Sequence, residues 1–446
     1  MELLSDDTPF QANGINDSPL RRPTSPSVGS KSGSVKRRLE RSWPIADYLK
    51  NENPDELFNW IGQCIAQVVH EGSSLLNLSS TQTLPLGVTF SFPMVQDSIQ
   101  QATLMGMGKG FAISSNVDLG SRLLDGYNIY KTDISPSLRV AAIANDSVST
   151  LVSFIFKYDE SANHRACMGL ILGTGCNATI PLKPSLLHPS KRPSRISIQP
   201  DEALDEVRIA VNTEWSINGS APPLRDLGWI TCWDAELDAS NEIPGFQPLE
   251  YMTAGRYLGE LVRIILLDYI QEHNVIPADS LPSKLYQLYG LSTPFLSNFK
   301  PLEPDTLINK LRDEFLESTG GADFTWSEDL AASLYHITKA VEYRAAGIVS
   351  AAIIGLLLVA EEIDEPGAAF SGNEKQRELG VGFTGGCIVH FQDYLADCQQ
   401  FLDSVMAKRF GEHVPVRILL SPCHDGGVVG AGILAAAASS SISKRT

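Results

Sequence analysis

The sequence of 446 residues lacks the features that would place it in several specialised classes of protein. Its seven cysteines form no CxxC pair, which favours neither a disulfide framework nor a thiolate zinc site. Basic residues are too few for a general nucleic-acid binder, because 35 Lys and Arg face 52 Asp and Glu for a net charge of −17. The uncharged and strongly apolar run at residues 345–360 has 16 residues, which is short of the about 18 that a membrane span needs. It predicts a buried helix instead.

The amino-terminal segment carries no secretory pattern, since MELLSDDTPF has acidic residues where a signal has a basic end and an apolar run. We therefore expect a cytoplasmic protein. Residues 1–42 are rich in Ser, Pro, Gly and charge and have no periodic apolar face, which predicts a disordered tail. The basic run KRRLER (36–41) is interpreted as a solvated surface, with a nuclear import signal or a phosphate-contacting patch as alternatives.

The rest of the chain reads as an α/β protein. With 43% hydrophobic residues it can bury a large core. The apolar spacing predicts a helix over 54–71 and one long amphipathic helix over 248–270. Strands are predicted over 84–92, 139–146 and 168–175, each ending in small or polar residues. In α/β folds, ligand groups gather at such strand ends.

Hydroxyl, amide and acidic side chains lie at the ends of the predicted elements. They are Ser91, Asn145, Asp146, Asn177, Glu214 and Glu250. Such groups suit a polyhydroxylated ligand, because a sugar hydroxyl both donates and accepts hydrogen bonds. Asp146, placed after a buried strand, is a candidate general base that accepts a hydroxyl proton as that oxygen attacks phosphorus. The same carboxylate is also a candidate cap for a helix over 147–155.

Several segments together resemble the hexokinase family, the fungal members above all. In the family's order, from about residue 43 to 440, they are LPLGVTFSFP (84–93), KGF (109–111), NDSVSTL (145–151), MGLILGTGCNA (168–178), VNTEW (211–215), PGFQPLEYM (244–252), GRYLGELVRIILL (255–267) and DGGVVGAG (425–432). The resemblance implies an α/β fold of two lobes around a cleft, as in actin-like ATPases and sugar kinases. It implies a small-lobe region at 43–155 and a large-lobe region at 156–440, with the carboxyl-terminal helix packing back on the small lobe.

The resemblance also implies roles for single residues. Asp146 would be the base that takes the proton from the 6-hydroxyl of the sugar, and Lys109 would lie near the sugar and the transferred phosphoryl group. The implied sugar contacts are Ser91, Lys109, Asn145, Asp146, Asn177, Glu214 and Glu250. The implied nucleotide contacts are Gly173, Thr174, Gly175, Arg256, Asp425, Gly426 and Gly427. The implied cofactors are ATP and Mg²⁺, the metal having no direct protein ligand.

The sequence departs from the family in the nucleotide half of the site. Nothing before the helix at 54–71 resembles the family's first phosphate-binding hairpin, LDLGGTN, so either an uncovered sheet edge or an altered small lobe is expected. Gly108 replaces a Thr, and Ser149 replaces a Gly. Val428 stands where the family has Gly, and a Val is poorly tolerated where φ must be positive.

Two functional hypotheses follow, with a third explanation of the missing hairpin. The first is an ATP-dependent hexokinase of carbohydrate metabolism, such as glycolysis. The alternative is a catalytically impaired sugar sensor that reports lobe closure to a regulatory protein partner. The third is an incomplete gene model whose true chain carries the hairpin upstream.

Overall fold

A computed structural model describes most of the chain. The described residues are 37–51, 53–105, 111, 116–158, 163–193, 196, 203, 206–215, 220–273, 281–300, 304–315, 324–364, 376–411 and 413–443. Three predictions lie outside them: the role of Lys109, the effect of Gly108, and the state of the tail up to residue 36.

The helices and strands are numbered here in chain order. The helices are α1 Pro54–Leu76, α2 Leu119–Tyr130, α3 Asp146–Lys157, α4 Ala221–Asp226, α5 Cys232–Ala239, α6 Pro248–Thr253, α7 Gly255–Glu272, α8 Thr293–Ser297, α9 Pro304–Glu314, α10 Glu328–Val359, α11 Gly386–His390, α12 Tyr394–Phe410 and α13 Gly426–Ser443. The strands are β1 Thr83–Phe90, β2 Met94–Ser98, β3 Gln101–Leu104, β4 Val117–Asp118, β5 Ser137–Asn145, β6 His164–Leu172, β7 Cys176–Leu182, β8 Ile209–Asn212, β9 Arg377–Thr384 and β10 Val416–Pro422.

The chain divides into two compact units. Unit 1 comprises the described parts of 159–178 and 215–422, and unit 2 comprises those of 10–158, 179–214 and 423–446. The lobe boundaries at 43–155 and 156–440 were inferred from the family resemblance and stay predictions.

The first helix of unit 2 begins where its sequence pattern predicts. Asn53 accepts a hydrogen bond from the backbone N–H of Asp55, and Pro54 occupies the first helical position, where its missing N–H costs nothing. α1 packs against α2 with the two backbones in contact, since a Cβ on Gly62 would lie 2.1 Å from the carbonyl carbon of Gly126.

The sheet that carries part of the predicted site in unit 2 has two strands. β1 and β5 pair in parallel, and their last partners are Phe90 and Asn145. α13 packs so closely on β1 that a Cβ on Gly87 would lie 2.3 Å from the carbonyl oxygen of Ala431. Among the described strands β1 has no other partner, because β2, β3 and β4 form an antiparallel sheet of their own. The expected uncovered edge is therefore found at β1 within the described residues.

Unit 1 is built on parallel strands in the order β10–β9–β6, with β7 beside β6. Its central helix is α10, which has 32 residues and contacts α7, α9 and α12. By length and composition alone α10 could cross a membrane, but most of its apolar stretch is buried inside the protein. Ile353 and Leu357 are fully buried, for example. The predicted buried helix is confirmed, although it begins at Glu328 rather than at residue 345.

The single helix predicted over 248–270 is wrong, since the structure has two helices there. The chain is extended at Ala254 (φ −98°, ψ 150°), which ends α6 and begins α7. The break lets the backbone N–H of Gly255 donate to the carbonyl oxygen of Gly173 at 2.8 Å. Apolar periodicity continues across the break because both helices bury side chains in unit 1, so the sequence pattern does not reveal it.

Candidate functional site

The end of β5 and the start of α3 hold two of the predicted sugar contacts. Asn145 is the last residue of β5, is 3% exposed, and caps α3. Its Oδ1 accepts hydrogen bonds from the N–H of Ser147 at 2.9 Å and from the Oγ of Ser147 at 2.7 Å. The capping role suggested for Asp146 is therefore wrong, because Asn145 performs it. Asp146 instead begins the helix, where the positive end of the helix dipole stabilises a carboxylate.

A buried polar network connects Asn145 to Glu214, which follows β8. Ser147 Oγ lies 2.7 Å from Thr179 Oγ1 and 3.4 Å from Asn212 Oδ1, and Asn212 Nδ2 donates to Glu214 Oε1 at 2.8 Å. Glu214 has a positive φ of 42°, which is uncommon for a residue with a side chain and recurs at functional sites. Unit 2 thus brings together Asn145 and Glu214, which are far apart in sequence.

Unit 1 brings together another predicted pair, Asn177 and Glu250. Glu250 lies in α6 and is 1% exposed, and its Oε2 accepts a 2.8 Å hydrogen bond from the backbone N–H of Cys176. The next residue, Asn177, is 8% exposed, and its Oδ1 accepts from the N–H of Ala178 at 2.8 Å. The buried carboxylate of Glu250 therefore binds the backbone of β7 one residue before the buried amide of Asn177.

The predicted phosphate-binding turn joins β6 to β7. Its Gly173 and Thr174 carbonyl oxygens accept hydrogen bonds from the first two N–H groups of α7, those of Gly255 (2.8 Å) and Arg256 (3.1 Å). Gly385, at φ +142°, packs against the base of the turn, since a Cβ there would lie 2.2 Å from the carbonyl oxygen of Leu172. α7 and Gly385 together hold the turn in one conformation.

Arg256, whose backbone N–H contacts the turn at Thr174, also carries a guanidinium group with partners of its own. Its Nη2 donates to Glu242 at 2.7 Å, and its guanidinium carbon lies 4.9 Å from the ring centroid of Tyr289. Burial raises the pKa of the Tyr289 hydroxyl, so this ring is neutral at ordinary pH. The Nε–H of Arg256 is buried and has no hydrogen-bond partner among the described residues, which is the state expected of a donor that meets a ligand.

The predicted adenosine turn lies in unit 2 at the start of α13. The positive φ of the turn falls on Asp425 (57°), whereas Val428 is helical and 63% exposed. The prediction that Val428 would strain the backbone of this turn is therefore wrong.

Two arginines of the basic run at 36–41 are paired with acids. Arg37 forms an exposed ion pair of 2.7 Å with Asp425, and Arg41 pairs with Glu71.

Sequence comparison assigns the chain to a known family. Two family models described as hexokinase match residues 25–156 and 167–437. The chain belongs to the hexokinase family. It is 29% identical over 416 residues to Hexokinase-2 of Oryza sativa subsp. japonica, covering 92% of this chain and 76% of that protein. It is 27% identical over 413 residues to Hexokinase-1 of Arabidopsis thaliana, covering 92% and 75%.

Solved hexokinases share this family member's fold. The structure of a Schistosoma mansoni hexokinase complexed with glucose matches with a TM-score of 0.69 at 24% identity, covering 90% of this chain and 79% of that one. A second hexokinase crystal structure matches with a TM-score of 0.59 at 22% identity, covering 86% and 74%. The predicted hexokinase fold, with its mixed α/β content, is confirmed.

Hexokinases transfer phosphoryl groups from ATP, normally with Mg²⁺, and the residues of unit 1 fit a polyphosphate. The carbonyl oxygens of Gly173 and Thr174 are already occupied by N–H groups of α7. The group that suits a phosphate oxygen is the buried Nε–H of Arg256, a cationic donor that has no hydrogen-bond partner among the described residues. Among the described residues no group of three or more His, Cys, Asp or Glu side chains could hold a metal ion. Mg²⁺ is commonly held largely by the phosphates and water in such sites.

The predicted site residues divide between the two units. Unit 2 holds Ser91, Asn145, Asp146, Glu214, Asp425, Gly426 and Gly427, and unit 1 holds Gly173, Thr174, Gly175, Asn177, Glu250 and Arg256. Sequence reasoning missed Ser147, Thr179 and Asn212, which connect the unit 2 residues to one another. Ser147 directly follows Asp146, and Asn212 lies two positions before Glu214, but nothing in their spacing indicates that Ser147 and Asn212 approach each other.

Proposed function

We propose that the protein transfers the γ-phosphoryl group of ATP to the 6-hydroxyl of a glucose-type hexose. The observation that carries the proposal is the buried network that ties Asn145, beside Asp146, to Glu214. It is supported by family membership and by the similarity to a hexokinase that was solved with glucose.

In this proposal Asp146 acts as the general base. Its carboxylate accepts the proton of the 6-hydroxyl while that oxygen forms a bond to phosphorus, and the bond to the leaving ADP oxygen breaks with its electron pair. Mg²⁺–ATP, when bound, supplies the phosphoryl group and neutralises its developing charge. Asn145, Asn177, Glu214 and Glu250 hold the sugar hydroxyls, together with Ser91 and Lys109.

For the nucleotide, the proposal uses the turn at 173–175, Arg256 and the start of α13. The turn supplies the backbone N–H groups of Thr174 and Gly175 to phosphate oxygens, since the N–H of Gly173 donates to the carbonyl oxygen of Gly175 at 3.0 Å. Arg256 supplies a cationic donor. Asp425, Gly426 and Gly427 supply the adenosine contacts, and a Cβ on Gly426 would lie 3.0 Å from Thr150 Oγ1, so the turn is closely packed.

The test is glucose-dependent release of ADP by the purified protein. Asp146→Asn removes the base but keeps a polar side chain of the same size, so we expect kcat to fall about 10²–10⁴-fold while glucose still binds. The control is Asp133→Ala, in an exposed loop of unit 2, which should leave kcat unchanged. Wild-type turnover that survives in Asp146→Asn would overturn the assignment of the base.

A second candidate is a sugar sensor with little transferase activity and a regulatory protein partner. The observation that favours it is the open edge of β1, together with residues 37–51, which contain one short 3₁₀ helix and no strand. The sensor would be favoured if calorimetry shows glucose binding that is lost in Glu214→Ala while the wild-type protein releases no ADP above blank.

The third explanation, a hairpin upstream of the given sequence, is tested separately. Mass spectrometry of the native amino-terminal peptide would show whether such a hairpin is present.

Cytoplasmic location and a role in carbohydrate metabolism also stay proposals. The arginines at 37 and 41 are ion-paired, which disfavours reading the basic run as an import signal. The cytoplasmic proposal would be contradicted if a fluorescent fusion of the protein concentrates in the nucleus and if the double substitution Arg37→Ala with Arg41→Ala returns it to the cytoplasm.

A further inference from the structure

The side chain of Ser147 lies between two proposed sugar contacts of unit 2. Ser147 is completely buried, and its Oγ lies 2.7 Å from Asn145 Oδ1, 2.7 Å from Thr179 Oγ1 and 3.4 Å from Asn212 Oδ1. The backbone N–H of Ser147 also donates to Asn145 Oδ1 at 2.9 Å. Asn212 in turn donates to Glu214 Oε1 at 2.8 Å.

The hydrogen positions in this network follow from counting donors. A serine hydroxyl has one hydrogen, and Asn145 Oδ1 takes it, because this oxygen lies at 2.7 Å and can only accept, whereas the hydroxyl of Thr179 can itself donate. The 3.4 Å approach of Ser147 Oγ to Asn212 Oδ1 is then a contact without a hydrogen. Ser147 therefore donates to Asn145, and the hydroxyl of Thr179 donates to Ser147. A carbonyl oxygen has two lone pairs, and both of those on Asn145 Oδ1 are then used by Ser147.

The amide of Asn145 is left with one way to meet a ligand. Since its Oδ1 is saturated, any contact with a sugar goes through Nδ2, as a donor to a hydroxyl oxygen. Glu214 has the opposite character, because a carboxylate only accepts hydrogen bonds. Ser147 thus sets a donor at Asn145, while the carboxylate of Glu214 provides an acceptor. The amides of Asn145 and Asn212 are each only 3% exposed, so reversing either would leave buried polar groups unpaired.

We propose that Ser147 is a positioning residue for sugar recognition, which locks Asn145 as a hydrogen-bond donor to one hydroxyl oxygen of the hexose. The inference rests on the proposed function, because it takes the ligand to be a sugar. Without the Ser147 hydroxyl one lone pair of Asn145 Oδ1 is released, and the amide is no longer held in one orientation.

The first measurement is the Kd of glucose by calorimetry for three variants. Ser147→Ala should raise Kd at least about tenfold, since it removes a buried hydrogen bond from the ligand-binding amide. Ser147→Thr keeps the hydroxyl and should stay within about threefold of wild type. Ser149→Ala is the matched control, because Ser149 is equally buried on α3 and its Oγ has no partner among the described residues. It should change Kd less than about twofold.

The second measurement separates locking from a general loss of structure. Binding of 2-, 3- and 4-deoxyglucose is compared between wild type and Ser147→Ala. For the sugar that lacks the hydroxyl bound by Asn145, Ser147→Ala should bind less than about threefold more weakly than wild type. For the other sugars it should bind at least about tenfold more weakly. Equal losses for every sugar, or glucose binding by Ser147→Ala equal to that of Ser149→Ala, would overturn the proposal.

Binding is measured here, so the outcome is independent of turnover. A wild-type protein that binds glucose but releases no ADP would contradict the transferase function and leave the role of Ser147 to be decided by the variants. A wild-type protein that binds none of the sugars would overturn both.

Discussion

The backbone N–H of Cys176 donates a hydrogen bond of 2.8 Å to Oε2 of Glu250. Both residues are almost completely buried, at 2% and 1% exposure. The contact ties α6 to the first residue of β7, next to Asn177. Glu250 therefore has a structural task in unit 1 as well as its proposed contact with the sugar, and the two tasks can be separated by substitution.

Glu250→Ala should destabilise the protein by about 1–3 kcal/mol, because it leaves the buried N–H of Cys176 without an acceptor. Glu250→Gln keeps an oxygen there and should cost less than about 1 kcal/mol. Both should weaken glucose binding, since both remove the charge. Urea unfolding and calorimetry measure the two effects, and equal losses of stability would show that the Cys176 contact contributes little.

Gly385→Ala should cost more than about 3 kcal/mol of unfolding free energy, because the new Cβ collides with backbone and φ is +142°. Gly228 is the control, since it also has a positive φ (68°) but no atom within 4 Å of its Cβ position. Gly228→Ala should cost about 1–3 kcal/mol from backbone strain alone. Thermal or urea unfolding compares the two, and a Gly385→Ala protein as stable as Gly228→Ala would contradict the close packing.

Arg256→Ala should raise the KM for ATP roughly tenfold or more and leave glucose affinity unchanged, because a bond to a charged group contributes about 1.5–3 kcal/mol. The turn at 173–175 should persist, since Arg256 contacts it through its backbone N–H. Arg377→Ala, which breaks an exposed pair with Asp364, is the control. If Arg256→Ala lowers the stability of the protein but leaves the KM for ATP unchanged, Arg256 serves only to stabilise the structure through its contacts with Glu242 and Tyr289.

The contribution of one buried carboxyl group in unit 1 to stability should fall as pH rises from about 4.5 to 7. Burial raises the pKa of Glu342 from its ordinary 4.5 to about 7, although the 2.6 Å bond from Lys339 opposes the shift. Burial also tends to lower the pKa of Lys339, but hydrogen bonds to Asp397, Glu342 and Asp393 outweigh it and raise that pKa, so the ammonium stays charged.

The sign follows from proton counts. Between pH 4.5 and 7 the folded protein holds a proton on Glu342 that the unfolded chain has released. The stabilisation is therefore complete below about pH 4.5 and lost as pH rises through about 7. Urea unfolding across this range should show a decline that is flatter in Glu342→Gln. The exposed Glu328→Gln in the same helix should keep the wild-type slope.

Sequence patterns located most elements that carry the site. Alternating and continuous apolar runs predicted β1, β5 and β6, whose polar ends hold Asn145 and the turn at 173–175. Periodicity could not show the break at Ala254, because α6 and α7 both bury side chains and only the contact with Gly173 requires the interruption. The sequence-based prediction also placed the cap of α3 on Asp146, one residue after the true cap Asn145, because Asn and Asp are equally good capping residues.

By itself the amino-acid sequence determined the family, the α/β class and the residue types available to grip a sugar, since these depend on local pattern and motif order. Tertiary structure alone decided which of these groups touch. Ser147, which binds Asn145, meets Thr179, Cys176 meets Glu250, and Gly385 meets Leu172. Such contacts join segments far apart in the chain, and hydrogen-bond geometry between them exists only after the strands and helices have packed.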